Sequence, residues 1–221
     1  MRAICLPAAD KHFYMFSWYQ RDVYKLARKH VQNFRTAVDV GAHVGYFSIY
    51  MARDFNKVVA FEPIAENAYC WSKNLAEAAN ATLFQCALGD RTDPIYMTQA
   101  CDINSGSWEV TKSSSLLVEQ NKLDSFGLQD VDYIKLDVQD YEPEVLFGAI
   151  ETIYKYKPVV QIEMSTRQCI QRAGTLMCKL GYEPVEQQKD DVIWRFVDVY
   201  DKDYGINLFL GDNNHVMPIV G

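Results

Sequence analysis

Two glycines and two acids in one short stretch of the chain have the spacing of a nucleotide-binding pocket. The stretch covers residues 36–63, TAVDVGAHVGYFSIYMARDFNKVVAFEP. Gly41 and Gly45 follow an apolar run, and glycine allows the backbone to turn tightly and to approach a ligand. Glu62 ends a second apolar run about 20 residues after Gly41, where a carboxylate can accept hydrogen bonds from ribose hydroxyls. The stretch therefore predicts a site for a cofactor that contains ribose.

The loop between these glycines favours a cationic cofactor over a pyrophosphate dinucleotide. A dinucleotide loop needs G-x-G-x-x-G, so that phosphates rest on backbone N–H groups at the start of a helix. The loop here is Gly41-Ala42-His43-Val44-Gly45, without a third glycine, and this disfavours the alternative of a nicotinamide oxidoreductase. A carboxylate from Asp39, aimed into the loop, would repel phosphates but attract the amino group of S-adenosylmethionine (SAM). We expect SAM to be bound by Asp39, Gly41, Ala42, His43, Gly45 and Glu62.

Composition limits the classes of protein to which the chain can belong. Its 221 residues, 49% of them hydrophobic, are enough for one domain with one core. The net charge of −7 argues against a nucleic-acid partner, because such binding depends on clustered Lys and Arg. The six cysteines form no C-x-x-C motif, which predicts a reduced, cytoplasmic protein without structural zinc. No apolar run approaches the length of about 18 residues that a membrane span needs, and no signal-peptide pattern opens the chain.

Strand patterns alternate with helical patterns, which predicts a mostly parallel, doubly wound sheet. Ligands bind such sheets at the carboxyl ends of the strands. A helix is predicted from Pro143 to about Tyr156, and residues 98–122 are predicted to be the least regular part of the middle. The predicted strand ends, which should meet in one acidic site, carry Asp39, Glu62, Cys86, Asp137 and Glu163.

Several short motifs follow one another in the order of a known family. They are Asp39-Val40-Gly41-Ala42-His43-Val44-Gly45, Ala60-Phe61-Glu62-Pro63, Ala87-Leu88-Gly89, Leu123-Asp124-Ser125-Phe126, Asp132-Tyr133-Ile134-Lys135-Leu136-Asp137-Val138 and a stretch ending at Gln161-Ile162-Glu163. In this order they resemble the motifs of the FkbM family of SAM-dependent methyltransferases. The resemblance implies a single-domain α/β fold with a Rossmann-like seven-stranded sheet, mostly parallel with a C-terminal antiparallel hairpin. It also implies methylation of a hydroxyl on a small molecule or carbohydrate.

The resemblance divides the chain into three segments. Residues 1–35 are expected to form a helical and aromatic cap, residues 36–197 the SAM-dependent methyltransferase domain, and residues 198–221 a tail packed on that domain. No oligomeric state follows from the sequence.

The resemblance also suggests roles for individual side chains. Asp137 is the candidate to bind or deprotonate the acceptor hydroxyl, and Glu142 is an alternative base. A divalent ion held by Asp137 and neighbouring acids is an alternative that no ligand spacing establishes, so we assign no metal ligand. Adenine contacts are expected from Cys86 and Ala87, and substrate contacts from Lys135, Glu163, His12 and Gln20.

The chain departs from the family pattern at two places. His43 replaces the usual Asn, which is tolerable where φ is positive, because Asn, Asp and His are enriched there. The family's D-V-E-G-x-E appears as Asp137-Val138-Gln139-Asp140-Tyr141-Glu142, which loses one acid and the glycine. Two hypotheses therefore stay open, an O-methyltransferase and a SAM-binding module of the same fold with weak or no turnover. Methylation of amino groups in nucleic acids is disfavoured, since no N-P-P-Y or D-P-P-Y motif occurs.

Overall fold

The computed structural model describes residues 4–8, 10 and 13–197, without the side chains of 13–19. In chain order its strands are β1 (Thr36–Val40), β2 (Lys57–Phe61), β3 (Ala81–Phe84), β4 (Ala87–Leu88), β5 (Ile95–Gln99), β6 (Trp108–Thr111), β7 (Leu116–Val118), β8 (Gln120–Asn121), β9 (Val131–Leu136), β10 (Val159–Glu163), β11 (Tyr182–Gln188) and β12 (Asp191–Phe196). Its helices are α1 (Phe13–Arg28), α2 (Tyr46–Asp54), α3 (Ala65–Asn74), α4 (Glu142–Phe147), α5 (Ile150–Tyr156) and α6 (Arg167–Lys179).

The central sheet has seven strands in the order β11-β12-β10-β9-β1-β2-β3. The pairs between β3, β2, β1, β9 and β10 are parallel, whereas β12 runs antiparallel to both β10 and β11. This arrangement confirms the predicted fold, with its mostly parallel sheet and closing hairpin. β2 and β3, which follow β1 in the chain, are added on one side of it, and β9 and the later strands of this sheet are added on its other side. The strand order therefore reverses between β1 and β9, and open α/β sheets bind ligands at such a switch point.

Both faces of the central strands are covered, so every residue of β1 and β9 is buried. On one face Tyr133 packs with Val23 and Ala27 of α1 and with Met51 of α2. On the other face Ile134 packs in the larger cluster that α4, α5 and α6 complete. Continuous burial of this kind explains why neither strand shows the regular alternation of apolar and polar residues that a half-exposed strand would have.

The chain segment between β4 and β8 forms a small antiparallel sheet of three strands. Its middle strand, β5, pairs with β6 on one side and with β7 on the other. Residues 98–122, predicted to be the least regular part of the middle, contain β6, β7, β8 and the end of β5, and turns and bends make up the rest. Ile95 and Met97 are buried while Tyr96 between them is exposed, which is the period of a strand. The alternation was missed because each strand is short and is flanked by polar turn residues.

The helix predicted from Pro143 to Tyr156 consists of two helices, α4 and α5, separated at Gly148 and Ala149. A Cβ atom on Gly148 would lie 1.9 Å from the carbonyl oxygen of Gly89, so the two chain segments pass too close for any side chain. His12 and the tail expected at residues 198–221 lie outside the described residues. Within the described part of the chain, no helix combines the length and the apolar character that crossing a membrane requires.

Candidate active site

A cavity of about 320 Å³ lies where β1, β2, β9 and β10 end, and it brings most of the residues predicted to bind ligands into one site. The predicted residues that line it are Gly41, Ala42, His43, Glu62, Cys86, Ala87, Lys135, Asp137, Glu163 and Gln20. Asp39, Gly45 and Glu142 do not line it.

The glycine loop rests on the end of β9. Gly41 has φ of 73°, and a Cβ atom there would lie 1.9 Å from the carbonyl oxygen of Asp137. The N–H groups of Gly41 and Ala42 both donate to the carbonyl of Phe61, each at 3.0 Å. Gly45, with φ of 95°, begins α2. Only glycine satisfies both the backbone conformation and the close approach at position 41.

Asp39 lies behind the loop rather than in the cavity. Its carboxylate is fully buried and accepts a hydrogen bond of 2.6 Å from Ser48 Oγ. Lys135 Nζ lies 3.6 Å from the other oxygen. The sequence led us to expect a carboxylate aimed into the loop, but β1 is buried on both faces and its Asp39 side chain turns towards α2. Burial raises the pKa of Asp39, and Lys135 partly offsets this.

Glu62 organises the far end of the glycine loop. Its carboxylate accepts hydrogen bonds from His43 N at 2.9 Å and Ile64 N at 3.0 Å, and Asn67 Nδ2 lies 3.3 Å away. Burial raises the pKa of Glu62 to about 7, although these donors oppose the shift. Asn67 is almost fully buried, lines the cavity, and its Oδ1 has no hydrogen-bond partner among the described residues. Sequence reasoning missed Asn67, for which the only signal was its position in the first turn of the helix after Glu62.

An apolar wall completes this end of the cavity. Cys86 and Ala87 form one part of it, as the sequence predicted. The small antiparallel sheet supplies the rest, and these residues were not predicted because the strands that carry them were not recognised. They are Ile95, Met97, Trp108 and Val110.

Lys135 and Asp137 form an ion pair at the other end of the cavity, with 3.2 Å between Nζ and Oδ2. Burial alone would lower the pKa of Lys135, but the carboxylates of Asp137 and Asp39 together raise it, so the ammonium stays charged. Lys135 also donates to the carbonyl of Gly41 at 3.0 Å. Burial would raise the pKa of Asp137, but Lys135 outweighs it and the pKa is lowered. Asp137 is therefore ionised and held in one orientation.

Gln139 joins Asp137 to Glu163. Its Nε2 lies 3.3 Å from Asp137 Oδ1 and 2.9 Å from Glu163 Oε2. The charge of Asp137 and then burial raise the pKa of Glu163 well above its usual value, so this carboxyl keeps its proton. Gln139 and Asp140 both have positive φ, 54° and 68°, a conformation that costs energy for residues other than glycine. The turn that departs from the family pattern thus places an amide between two carboxyl groups.

Glu142 does not line the cavity. It is fully buried and accepts hydrogen bonds from Val138 N at 2.8 Å and Cys169 Sγ at 3.3 Å. Burial raises its pKa to about 7. Ligand atoms of Asp140, Glu142 and Cys169 lie within 4.8 Å of one another. Proximity alone does not assign a metal there, because Thr166 also donates to Asp140 and the oxygens of Glu142 are already engaged.

Residues distant in the sequence also line the cavity. Gln20 on α1 lines it, and its Oε1 has no hydrogen-bond partner among the described residues. Asp191, which sequence reasoning missed, lies opposite Glu163 across the β10–β12 pair and accepts a hydrogen bond of 2.8 Å from Gln161. Asp10 and Ser105 also line the cavity, and neither was predicted.

Comparison with known families gives one match, to the methyltransferase FkbM domain, over residues 39–184. A comparison with curated proteins gave no match.

Solved structures resemble this fold at low sequence identity. The methyltransferase FkbM from Methylobacillus flagellatus is 18% identical with a TM-score of 0.59, over 81% of this chain and 50% of that one. The chain thus spans half the length of that relative. A candidate O-methyltransferase from Klebsiella pneumoniae is 16% identical with a TM-score of 0.53, over 88% and 84% of the two chains. A candidate RNA methyltransferase from Pyrococcus horikoshii is 10% identical with a TM-score of 0.53, over 89% and 94%. Because these proteins differ in acceptor, the likeness defines the fold and not the acceptor.

Proposed function

Because the chain belongs to the FkbM methyltransferase family, we propose that it is an O-methyltransferase that uses SAM and a hydroxyl acceptor on a small molecule or carbohydrate. One observation carries the proposal. The carboxylate of Asp137, whose oxygens lie 3.2 Å from Lys135 Nζ and 3.3 Å from Gln139 Nε2, lines the same cavity as Glu62 and the glycine loop. A hydroxyl anchor and a cofactor loop thus share one site.

The family and the fold imply SAM as the methyl donor, and the cavity offers groups that fit it. Glu62 can accept hydrogen bonds from the ribose hydroxyls, and the unpartnered Oδ1 of Asn67 is a second acceptor in the same region. The apolar wall that includes Ala87 and Trp108 suits the adenine ring. When bound, SAM supplies an electrophilic methyl group on a sulfonium centre.

The acceptor end of the cavity can hold a hydroxyl and receive its proton. Asp137, kept ionised by Lys135, accepts the hydroxyl hydrogen at a carboxylate oxygen. Glu163, which keeps its proton, directs it to Asp137 and so helps to hold that carboxylate in place for the acceptor. A positioned base contributes about 100-fold to 10,000-fold, whereas alignment of the reacting groups contributes up to about 7–11 kcal/mol. Lys135 and Gln139 therefore matter chiefly because they fix the orientation of Asp137.

We assign proton acceptance to Asp137 rather than to Glu142, because Glu142 is fully buried outside the cavity lining. Lys135 binds the loop carbonyl as well as Asp137, so it links the cofactor end to the acceptor end. In this proposal Glu163 and Gln20 contact the acceptor directly.

The proposed acceptor is not a nucleic acid. The chain carries a net charge of −7, and affinity for nucleic acids depends mainly on positive charge that displaces counterions. All six cysteines are free thiols, which fits the reducing cytoplasm that we propose as the compartment. Gel-shift titrations with duplex RNA and DNA at physiological salt should show no submicromolar complex.

Mass spectrometry of hydroxyl-bearing metabolite and glycan pools, after incubation with the protein and methyl-labelled SAM, tests the proposal. We expect a product that gains one labelled methyl group. Asp137→Asn should remove the product but keep binding of S-adenosylhomocysteine (SAH), and the exposed Asp93→Asn serves as control. Transfer only to nucleic acid would refute the acceptor class. SAH binding without transfer to any pool would favour the alternative of a SAM-binding module. That alternative is suggested by the altered turn at Gln139 and Asp140.

A further inference from the structure

We propose that Asp10, Ser105 and His43 form a latch that closes the N-terminal segment and the β5–β6 loop over the bound cofactor. The inference rests on the proposed use of SAM, and it adds a step that the reaction does not require. The cofactor would leave only after the hydrogen bonds of the latch break. The three side chains come from three separate parts of the chain, and all three line the cavity.

The geometry of the latch defines the direction of its hydrogen bonds. Ser105 Oγ donates to Asp10 Oδ2 and lies 2.5 Å from His43 Nε2. Because the serine proton is directed to Asp10, His43 must donate from Nε2 to Ser105. Burial lowers the pKa of His43 to about 4, so the ring is neutral and holds one proton near pH 7. The tautomer with the proton on Nε2 satisfies every contact in the chain of bonds.

The latch is connected directly to the part of the site proposed to hold ribose. The backbone N–H of His43 donates to Glu62, and the carbonyl of Ser105 accepts a hydrogen bond of 2.9 Å from Asn67 Nδ2. The same Asn67 nitrogen lies 3.3 Å from Glu62. A cofactor that engages Glu62 would therefore order both ends of the His43–Ser105 contact.

The N-terminal segment is anchored at a point apart from the latch. The backbone N–H of Cys5 donates to Asn74 Oδ1 at 2.7 Å, and Asn74 Nδ2 donates to the carbonyl of Cys5 at 3.0 Å. Ala8 N lies 3.3 Å from a carboxylate oxygen of Glu66. These contacts hold the segment on α3, whereas Asp10 accepts its hydrogen bond from Ser105 in the β5–β6 loop. Breaking one side-chain contact could open the cavity without detaching the segment from α3.

His43 is one of the two places where the chain departs from the FkbM pattern, and the latch gives the departure a physical role. Its imidazole brings a hydrogen-bonding nitrogen to Ser105, and its positive φ of 50° is a conformation that Asn also tolerates. His43→Asn therefore removes the imidazole while the backbone conformation of the loop is retained.

Release of labelled SAH from the full chain, chased with excess unlabelled SAH, tests the latch. We expect Asp10→Asn and Ser105→Ala each to increase the SAH dissociation rate by about 10-fold to 100-fold, the range for loss of a hydrogen bond that involves a charged group. His43→Asn removes a hydrogen bond between neutral groups and should increase the rate by about 2-fold to 10-fold. The association rate should change little. The double variant Asp10→Asn with Ser105→Ala should release SAH no faster than the faster single variant, because the two groups belong to one chain of bonds. Ser113→Ala, an exposed serine between β6 and β7, is the matched control and should release SAH as wild type does.

Hydrogen exchange supplies a second measurement that does not depend on release rates. In wild type, SAH should slow amide exchange in residues 4–8 and 104–107, and Ser105→Ala should abolish that protection in residues 4–8. An unchanged dissociation rate in folded Ser105→Ala and Asp10→Asn, or unchanged protection, would overturn the latch. Failure of wild type to bind SAH would instead refute the proposed cofactor, so the two failures are distinguishable.

Discussion

Replacing Glu62 by Gln should reduce cofactor affinity and remove its pH dependence. The carboxylate accepts from His43 N and Ile64 N at 2.9 and 3.0 Å and is buried. An amide can accept on one side only, so one of these N–H groups loses its partner. Loss of a hydrogen bond from ribose to a charged acceptor should cost about 1.5–3 kcal/mol, which is about 10-fold to 150-fold in the SAH dissociation constant. The unpaired N–H should lower the free energy of unfolding by about 1–3 kcal/mol.

The pH dependence follows from the pKa of Glu62, which burial raises to about 7. Ribose hydroxyls can donate to both oxygens only when the carboxyl is ionised, so wild-type affinity for SAH should rise as pH passes through about 7 and level off above it. The Gln variant should lack this rise. Titration calorimetry between pH 5.5 and 8, in two buffers with different ionisation enthalpies, measures both the affinity and the protons released.

A matched control separates the site from general charge effects. Glu151→Gln removes an exposed carboxylate outside the cavity and should leave SAH affinity unchanged. If folded Glu62→Gln binds SAH within about twofold of wild type at pH 8, a difference of only about 0.4 kcal/mol, Glu62 does not hold the cofactor.

Three further predictions concern the surroundings of the site. Burial raises the pKa of Glu142 from 4.5 to about 7, so between these pH values the folded state binds more protons than the unfolded state. The contribution of Glu142 to the free energy of unfolding therefore falls as pH rises from 4.5 to about 7, by at most about 1.4 kcal/mol per pH unit. Denaturant titrations should show a smaller fall for Glu142→Gln than for wild type, and an equal fall would show that Glu142 is not buried as described. Gly41→Ala should cost more than about 3 kcal/mol of stability or prevent folding, because its Cβ would lie 1.9 Å from a backbone oxygen. Gly127→Ala, also at positive φ but with nothing within 4 Å, should cost about 1 kcal/mol, and equal losses in thermal unfolding would contradict the close approach. Asp137→Asn should lower kcat about 100-fold or more on an identified acceptor with little change in SAH affinity, and intact transfer would exclude Asp137 as the proton acceptor.

The sheet and the glycine loop could be predicted from the sequence because their signals are local. β10 ends at Glu163, one of the predicted strand ends, and Glu62 lines the cavity with the sequence spacing from Gly41 that is typical of a ribose-binding acid. These features depend on periodicity and on spacing along one stretch of chain, which a sequence displays directly.

The remaining parts of the site depend on tertiary contacts that no local pattern contains. The direction of the Asp39 side chain was not predictable, since β1 is buried on both faces and either face could have carried the carboxylate. Asp10 and Ser105 are 95 positions apart in the chain, and only the fold brings them together. No local pattern distinguishes Asn67 from other helix residues, and only its hydrogen bond to the carbonyl of Ser105 connects it with the site.

The contact between Lys135 and the carbonyl of Gly41 joins residues 94 positions apart, so the support of the glycine loop forms late in folding. β1 lies between β2 and β9, and the loop after β1 rests on the carbonyl of Asp137. Pairing across such a separation closes a long loop, which makes it a slow event in folding. A chain emerging from the ribosome would present the glycine loop and Glu62 long before β9 is available to support them. Cofactor binding can therefore stabilise the native state only after the two halves of the sheet have joined, so it acts on the completed fold and not on the growing chain.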